Sequence, residues 1–378
     1  MTGIVRRRVG RRQASVAAGV ALIVLIHASA ARAVNPDIPQ VEARAERGSI
    51  QQQIQLAGAY FTGSGVEQND RLAAYWYEKA ANAGDPYAQK QIGFFYQAGI
   101  GVPRDPMRAV KWFERAAAGG LASARTNLGV AYVWGIGVPR DPEFGAQLFR
   151  EALAKGDGSA GFSLGEMYYF GIGVAKDPVA AQHWYELGAK LHDPLAEFRT
   201  GLLILQHRPD TEGQKKAAEL LRKSVLAGYV PAMHALGMLV FNHPDLAQSP
   251  SEMKTLLEDA EAAGTWQSSI LLGIVARDGV GVPIDPAEAY YHFRVSVLQG
   301  GDEAAKLVAN DLRTLAERIG PERAQARDAE ASTWFQKHQS KLAFVYSKKD
   351  EKQGFAAFAL TVPDTATHIG RLLPTPPL

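Results

Sequence analysis

The chain has 378 residues, 41 basic and 39 acidic side chains, a formal charge of +2 and no cysteine. Without cysteine it holds no disulfide, iron–sulfur cluster or thiolate zinc site. Six arginines fall in residues 1–33, which contain no Asp or Glu, so the remainder carries −4; no basic, aromatic-interleaved patch points to nucleic acid.

Residues 1–33 read as a signal peptide. Arg6, Arg7, Arg8, Arg11 and Arg12 form a basic n-region, an apolar run covers residues 14–31, and Ala31-Arg32-Ala33 supplies the small residues of a cleavage site. Residues 16–26 are apolar enough to leave open an uncleaved single-span anchor. Either way the positive end stays cytoplasmic and the rest is exported. Residues 34–49 are a short lead-in.

From residue 50 to 302 one phrase recurs at a 36-residue step. Its small residue is Ala57, Gly93, Gly129, Gly165, Gly201, Gly237 and Gly273. Leu56, Ile92, Leu128, Leu164, Leu236 and Leu272 precede it, with Thr200 the exception, and Tyr60, Tyr96, Tyr132 and Tyr168 follow three residues later. A Gly-x-Gly-Val loop then begins at Gly63, Gly99, Gly135, Gly171 and Gly279. A fixed period of this length predicts stacked supersecondary units, none able to bury its apolar face alone. In the unit starting at Asp85-Pro86, an N-cap and N1 pair opens a first helix, A, that Gly99 ends. Asp105-Pro106 opens a second helix, B, stopped by Gly119-Gly120.

Small residues recur where the two helices must approach: Ala88, Ala124, Ala160, Ala196 and Ala232 in helix A, Ala80, Ala116 and Ala152 in helix B. Trp76, Trp112 and Trp184 are expected to fill the wedge beside them. The Gly-x-Gly caps a helix and no strand precedes it, so it reads as structural and not as a phosphate loop.

The phrase Leu-Gly-x-x-Tyr-x-x-Gly-x-Gly-Val-x-x-Asp-x-x-x-Ala-x-x-Trp resembles the Sel-one-like repeat, a relative of the tetratricopeptide repeat. The resemblance spans about residues 50–310 and implies an all-α solenoid of about seven stacked 36-residue helix-turn-helix repeats. Two units depart from it: their loops read His207-Arg208-Pro209-Asp210 and His243-Pro244-Asp245, and Leu220-Leu221 and Leu256-Leu257 stand in their B helices. Residues 303–339 are expected to form C-terminal capping helices, over 303–318 and 321–337. Residues 340–378 are expected to be an irregular, partly disordered tail containing prolines.

The helical period puts the repeated Ala, Leu, Gly and Tyr of helix A on one stripe. The opposite side carries Phe61, Tyr87, Phe94, Trp134, Phe162, Tyr169, Phe170, Phe198, Met238 and Phe241, with few charges, among them Lys90 and Glu166. In tetratricopeptide-like solenoids the corresponding side lines a concave peptide groove, so the resemblance makes these ten residues the candidate partner-binding face. The same aromatics could equally be packing between repeats.

No catalytic or metal-binding constellation stands beside them, and no cofactor is expected. Ser251-x-x-Lys254 lacks the Ser-Asp-Asn and Lys-Thr-Gly partners of a penicillin-binding site, and Ser251 reads as a helix N-cap. His207 and His243 occupy equivalent loop positions without a metal-ligand spacing. The expectation is a non-enzymatic adaptor, scaffold or regulatory module in the bacterial periplasm, with a protein or peptide partner and no nucleic acid. Its membrane link is at most an uncleaved N-terminal segment. The alternatives are a secreted host- or surface-interaction factor and, last, a cell-wall or β-lactam-related enzyme.

Overall fold

The computed structural model describes residues 38–345, and the described residues are helical with no strand. The signal-peptide reading and residues 346–378 of the expected tail lie outside them; residues 340–345, expected to be irregular, continue the last helix. The chain divides into two compact units, one ending at Gly228 and the other beginning at Tyr229.

In the N-terminal unit a lead helix, α1 (Ile38–Glu46), precedes five A/B pairs: α2 (Ile50–Thr62) with α3 (Asp70–Asn82), α4 (Pro86–Ala98) with α5 (Pro106–Ala118), α6 (Ala122–Trp134) with α7 (Pro142–Ala154), α8 (Gly158–Phe170) with α9 (Pro178–Lys190), and α10 (Pro194–His207) with α11 (Thr211–Leu226). The caps are those the Asp-Pro signals predict. Asp85, Asp105, Asp141 and Asp193 each accept a hydrogen bond from the backbone N–H three residues on, at 2.8–3.0 Å. Each such cap is worth about 1 kcal/mol.

The Gly-x-Gly loop works through both its glycines. Gly99 ends α4 at φ 77°, a left-handed conformation that spares a Cβ penalty. Gly101 lies so close to the start of α3 that a Cβ would sit 2.0 Å from the Asp70 carbonyl oxygen. The loop is then stapled, because the N–H of Asp105 donates to the carbonyl of Tyr96, and Asp141 and Asp177 repeat the bond to Tyr132 and Tyr168.

Within a pair, the residue that fills the wedge is not the expected tryptophan but the one after it. A Cβ on Gly93 would meet Phe113 at 2.6 Å, one on Gly129 would meet Phe149 at 2.5 Å, and one on Gly165 would meet Tyr185 at 2.3 Å. Phe113, Phe149 and Tyr185 are fully buried; of the tryptophans beside them Trp76 and Trp112 are buried as well, whereas Trp184 stays half-exposed. Each such ring contributes roughly 2–3 kcal/mol by its burial. A Cβ at these three glycines would force the ring away from the A helix.

The C-terminal unit contains α12 (Val230–Asn242), a 3₁₀ turn (Pro244–Leu246), α13 (Glu252–Ala262), α14 (Trp266–Asp278), α15 (Pro286–Ile319) and α16 (Pro321–Val345). Gly301, at φ 58° and ψ −139°, breaks α15 into two helices. Ala276, Tyr290, Phe293, Val308, Leu315 and Ala324 form one core across α14, both halves of α15, and α16. The departing loops follow their sequence: Arg208 ends α10 without a left-handed residue and α11 starts three residues later, while the 3₁₀ turn replaces the glycine loop after α12. Ser251 stands at the N-cap of α13 but makes no capping bond; Glu252 accepts from the Gln248 N–H instead. No described helix is long and apolar enough to cross a membrane.

Candidate interaction face of the A helices

The ten candidate residues fall into two classes, and two of them belong to the other unit. Phe94, Trp134, Phe162 and Phe198 are at least nine-tenths buried. Phe61, Tyr87, Tyr169, Phe170, Met238 and Phe241 are half-buried, and Met238 and Phe241 lie on α12 of the C-terminal unit. The burial comes from A helices touching one another as well as their own B helices, α6 with α8 and α8 with α10. Phe61, for example, tilts against Phe95 of the next A helix at 5.2 Å between centroids. Phe162 reaches inward to within 6.1 Å of Tyr185. The accessible part of the face in the N-terminal unit is therefore carried by Phe61, Tyr87, Tyr169 and Phe170. The latter two meet edge-to-face at 4.9 Å, and Lys176 and Arg199 lie over the Tyr169 ring at 5.8 and 6.0 Å.

Polar groups run between these rings. Glu166 is fully buried where other repeats hold Phe94, Val130 or Leu202. Its carboxylate accepts from the Tyr185 hydroxyl at 2.6 Å and pairs with Arg199 Nε at 3.0 Å, tying α8 and α9 to α10. Burial pushes the Tyr185 phenol well up, and the Glu166 charge adds to the effect.

At the N-terminal ends of the A helices a second track begins with Lys90 on α4. It continues through Thr126 on α6, whose hydroxyl donates to Asp157 Oδ2, and ends at the Asp157 cap of α8. Asp193, the cap of α10, is also buried. Loss of solvation lifts its carboxyl to about 7 against its own capping bond, and the charges of Asp157 and Glu197 lift it further.

Lys90 is the odd member of this track. It is 9% exposed, and among the described residues its ammonium makes no hydrogen bond or ion pair, only a cation–π approach to Tyr87 at 5.3 Å. Burial holds its pKa below the ordinary lysine value, partly offset by the Asp157 charge. Trp134 Nε1, further along the same face, is a buried donor without an acceptor. Sequence periodicity flagged the rings but not these polar residues. The available signal was a charged residue at a repeat position that is apolar in the neighbours: Lys90 aligns with Ile54 and Phe162, Glu166 with Phe94 and Val130.

The remaining candidates do not assemble into a reactive site. Ser251 is exposed, and Lys254 pairs with Glu258 at 3.6 Å. His207 and His243 belong to different units. Among the described residues no group of three His, Cys, Asp or Glu side chains is arranged to hold a metal.

Comparison with known families agrees with this geometry. The Sel1 repeat model matches residues 53–85, 86–121, 122–157, 159–193 and 267–301. The chain belongs to the Sel1 repeat family. The unmatched stretch between 193 and 267 contains the two departing units. A Sel1 repeat protein from Oxalobacter formigenes is similar at 30% identity, over 57% of this chain and 89% of that one, with a TM-score of 0.48. The c5321 protective antigen of uropathogenic Escherichia coli, which displays an SLR fold, is similar at 21% identity over 82% and 74%, TM-score 0.44. A Sel1 repeat protein from Klebsiella pneumoniae is similar at 24% identity over 53% and 97%, TM-score 0.36. No curated protein matches the chain at a significant level.

Proposed function

We propose that this protein is an exported, non-catalytic adaptor of the bacterial envelope that binds a polypeptide partner along the A-helix face of its N-terminal unit. The Sel1 repeat fold suggests a protein–protein interaction module. The observation that carries the finer reading is the set of half-buried aromatics, Tyr87, Tyr169 and Phe170, on a face that also holds the buried indole N–H of Trp134 without an acceptor. Rings of this kind supply contact area at low entropic cost and serve as anchors. Export rests on the basic-then-apolar segment ending at Ala33.

The test is affinity capture of the exported chain's partner with Tyr87→Ala/Tyr169→Ala. Both rings are partly solvated, so the double variant is expected to keep its helicity while losing the partner. Phe94→Ala is the wrong probe. That ring is nine-tenths buried, and its truncation would cost about 3–5 kcal/mol in packing alone. Undiminished capture by the folded double variant would refute the reading. Export is checked by the N-terminal residue of the protein from the periplasmic fraction, expected at Val34.

A further inference from the structure

We infer that Asp193 is a proton-sensitive clasp between the α8–α9 pair and the α10–α11 pair. Uncharged, it lets the N-terminal ends of α8 and α10 close on one another. Charged, it drives them apart and loosens the face that carries Phe162, Tyr169, Phe170 and Phe198. This rests on the interaction-face reading above and adds a regulation of that site.

The clasp begins with missing side chains. Gly158 opens α8 where Pro86 and Pro194 open α4 and α10, and a Cβ on it would sit 2.9 Å from the Asp193 Cβ. Gly188 on α9 stands where Ala116 and Ala152 stand in the two preceding B helices, and a Cβ on it would meet the Ala196 Cβ at 2.8 Å. Without those methyl groups the chain closes over the α10 cap. Asp193 is 7% exposed, whereas the Asp85 and Asp105 caps are half-buried and the Asp141 cap is exposed.

The enclosed carboxyl accepts from the Ala196 N–H at 2.8 Å, and the Asp193 N–H donates to the Gly188 carbonyl of α9 at 3.1 Å. Among the described residues no basic side chain pairs with it, and the charges that act on it have its own sign. Asp157 faces it from α8, with its oxygens on Thr126 and Ser159, and Glu197 faces it from α10 itself. His192, at a left-handed φ of 59° where Gly156 stands one repeat earlier, lies 3.7 Å from Glu197, and Lys223 of α11 acts on the same glutamate. Burial first, and then the two neighbouring acids, favour the neutral carboxyl and lift its pKa from 3.8 to about 7. An ionised Asp193 in the closed junction is a desolvated charge beside others of its sign, and opening relieves it. The Glu166–Arg199 pair, at 3.0 Å, joins the same two helices further along and is the pivot about which their ends part.

Because the folded pKa is raised, the closed junction is fully favoured below 3.8 and loses that advantage as pH rises through about 7. A cap that exchanges its proton without movement would leave the junction equally closed on both sides of that value.

The experiment follows hydrogen exchange of the full chain by mass spectrometry at pH 5, 6, 7 and 8, corrected for the intrinsic rates. The opening constant across residues 157–164 and 193–200 is expected to fall about tenfold per unit from pH 7 to 5 and to be level above 7. Asp193→Asn keeps a capping oxygen and has no charge to lose, so its opening constant is expected to stay low at every pH. Asp157→Asn removes one like charge and is expected to move the step to lower pH, while Asp141→Asn, at an exposed cap, is expected to leave it in place. Binding is read by a photoreactive residue at position 169 in cell extract buffered at pH 5.5 or 7.5. Several-fold more polypeptide adduct is expected at 5.5 in the wild type, and equal amounts in Asp193→Asn. A flat exchange profile, or a step that survives both Asp193→Asn and Asp157→Asn unmoved, would overturn the clasp. A step accompanied by equal adducts at both pH values would overturn the regulation and leave the interaction face standing. No adduct at either pH would overturn the interaction-face reading and the regulation that rests on it, whatever the exchange shows.

Discussion

Each unit buries a basic side chain on a helix, and the two are treated in opposite ways. In the C-terminal unit His292 lies between two carboxylates, with Nδ1 2.9 Å from Glu261 Oε1 and Nε2 3.5 Å from Glu288 Oε1; Arg327 holds Glu288 from its far side at 3.3 Å. Burial alone would lower its pKa, but the bonds and charges of the two glutamates overcome that and raise it to about 9. In the N-terminal unit Lys90 is about as buried but has no bonded acid, and burial wins. The difference teaches where structure ends and availability begins. A buried charge with its counter-charges in place joins helices, whereas one without them buries only its stem and keeps its head in water.

The sharpest way to break the comparison is to remove the partnered base. His292→Ala strands Glu261 in the core of the C-terminal unit and is expected to cost about 3–5 kcal/mol. Faster hydrogen exchange across residues 286–300 measures it, and an unchanged exchange rate there would show that the pair holds nothing. Next comes pH. The folded pKa of His292 is raised, so its contribution is whole below the unfolded value of 6.5 and is lost as pH rises through about 9. The C-terminal unit is therefore expected to lose of order 3 kcal/mol across that window, read by chemical denaturation at stepped pH. Glu261→Gln is a milder change. It keeps a hydrogen-bonding group and removes the charge, and is expected to bring the His292 titration, followed by NMR, down by about a unit or more.

Smallest is the effect on the unpartnered base. Lys90→Met removes a desolvated charge and keeps the stem, so stability is expected to change by less than about 1 kcal/mol, in the direction of a gain. The sign is opposite to that of His292. A lowered lysine pKa means that the penalty is present below the folded value and vanishes above 10.5. A large loss in Lys90→Met would mean that the side chain is structural.

The fold was legible because its determinants are local and repeat: an Asp-Pro start, a glycine stop and a small residue at a fixed step each act within one turn of helix. The expected wedge residue was displaced by one. Trp76, Trp112 and Trp184 are conspicuous in sequence, but the ring that meets the repeated glycine of helix A is carried by the next position, as Phe113, Phe149 and Tyr185 show. The candidate face was legible as a stripe and not as a surface. Periodicity assigns Phe94 and Tyr169 to the same side of helix A, yet only contact between successive A helices decides that the first is buried and the second half-open. The His292 cluster joins residues 31 apart and escaped notice, although Glu261 and His292 stand where other repeats carry Ala117 and Leu148.

The most direct test of the account is site-specific photocrosslinking of the protein in its own cells. A photoreactive residue replaces Tyr169 on the A-helix face or Tyr75, which is half-exposed on the B helix α3. The account predicts a discrete polypeptide adduct at position 169, lost with Tyr87→Ala, and none at position 75. Adducts only at position 75, or equal and diffuse labelling at both, would contradict it.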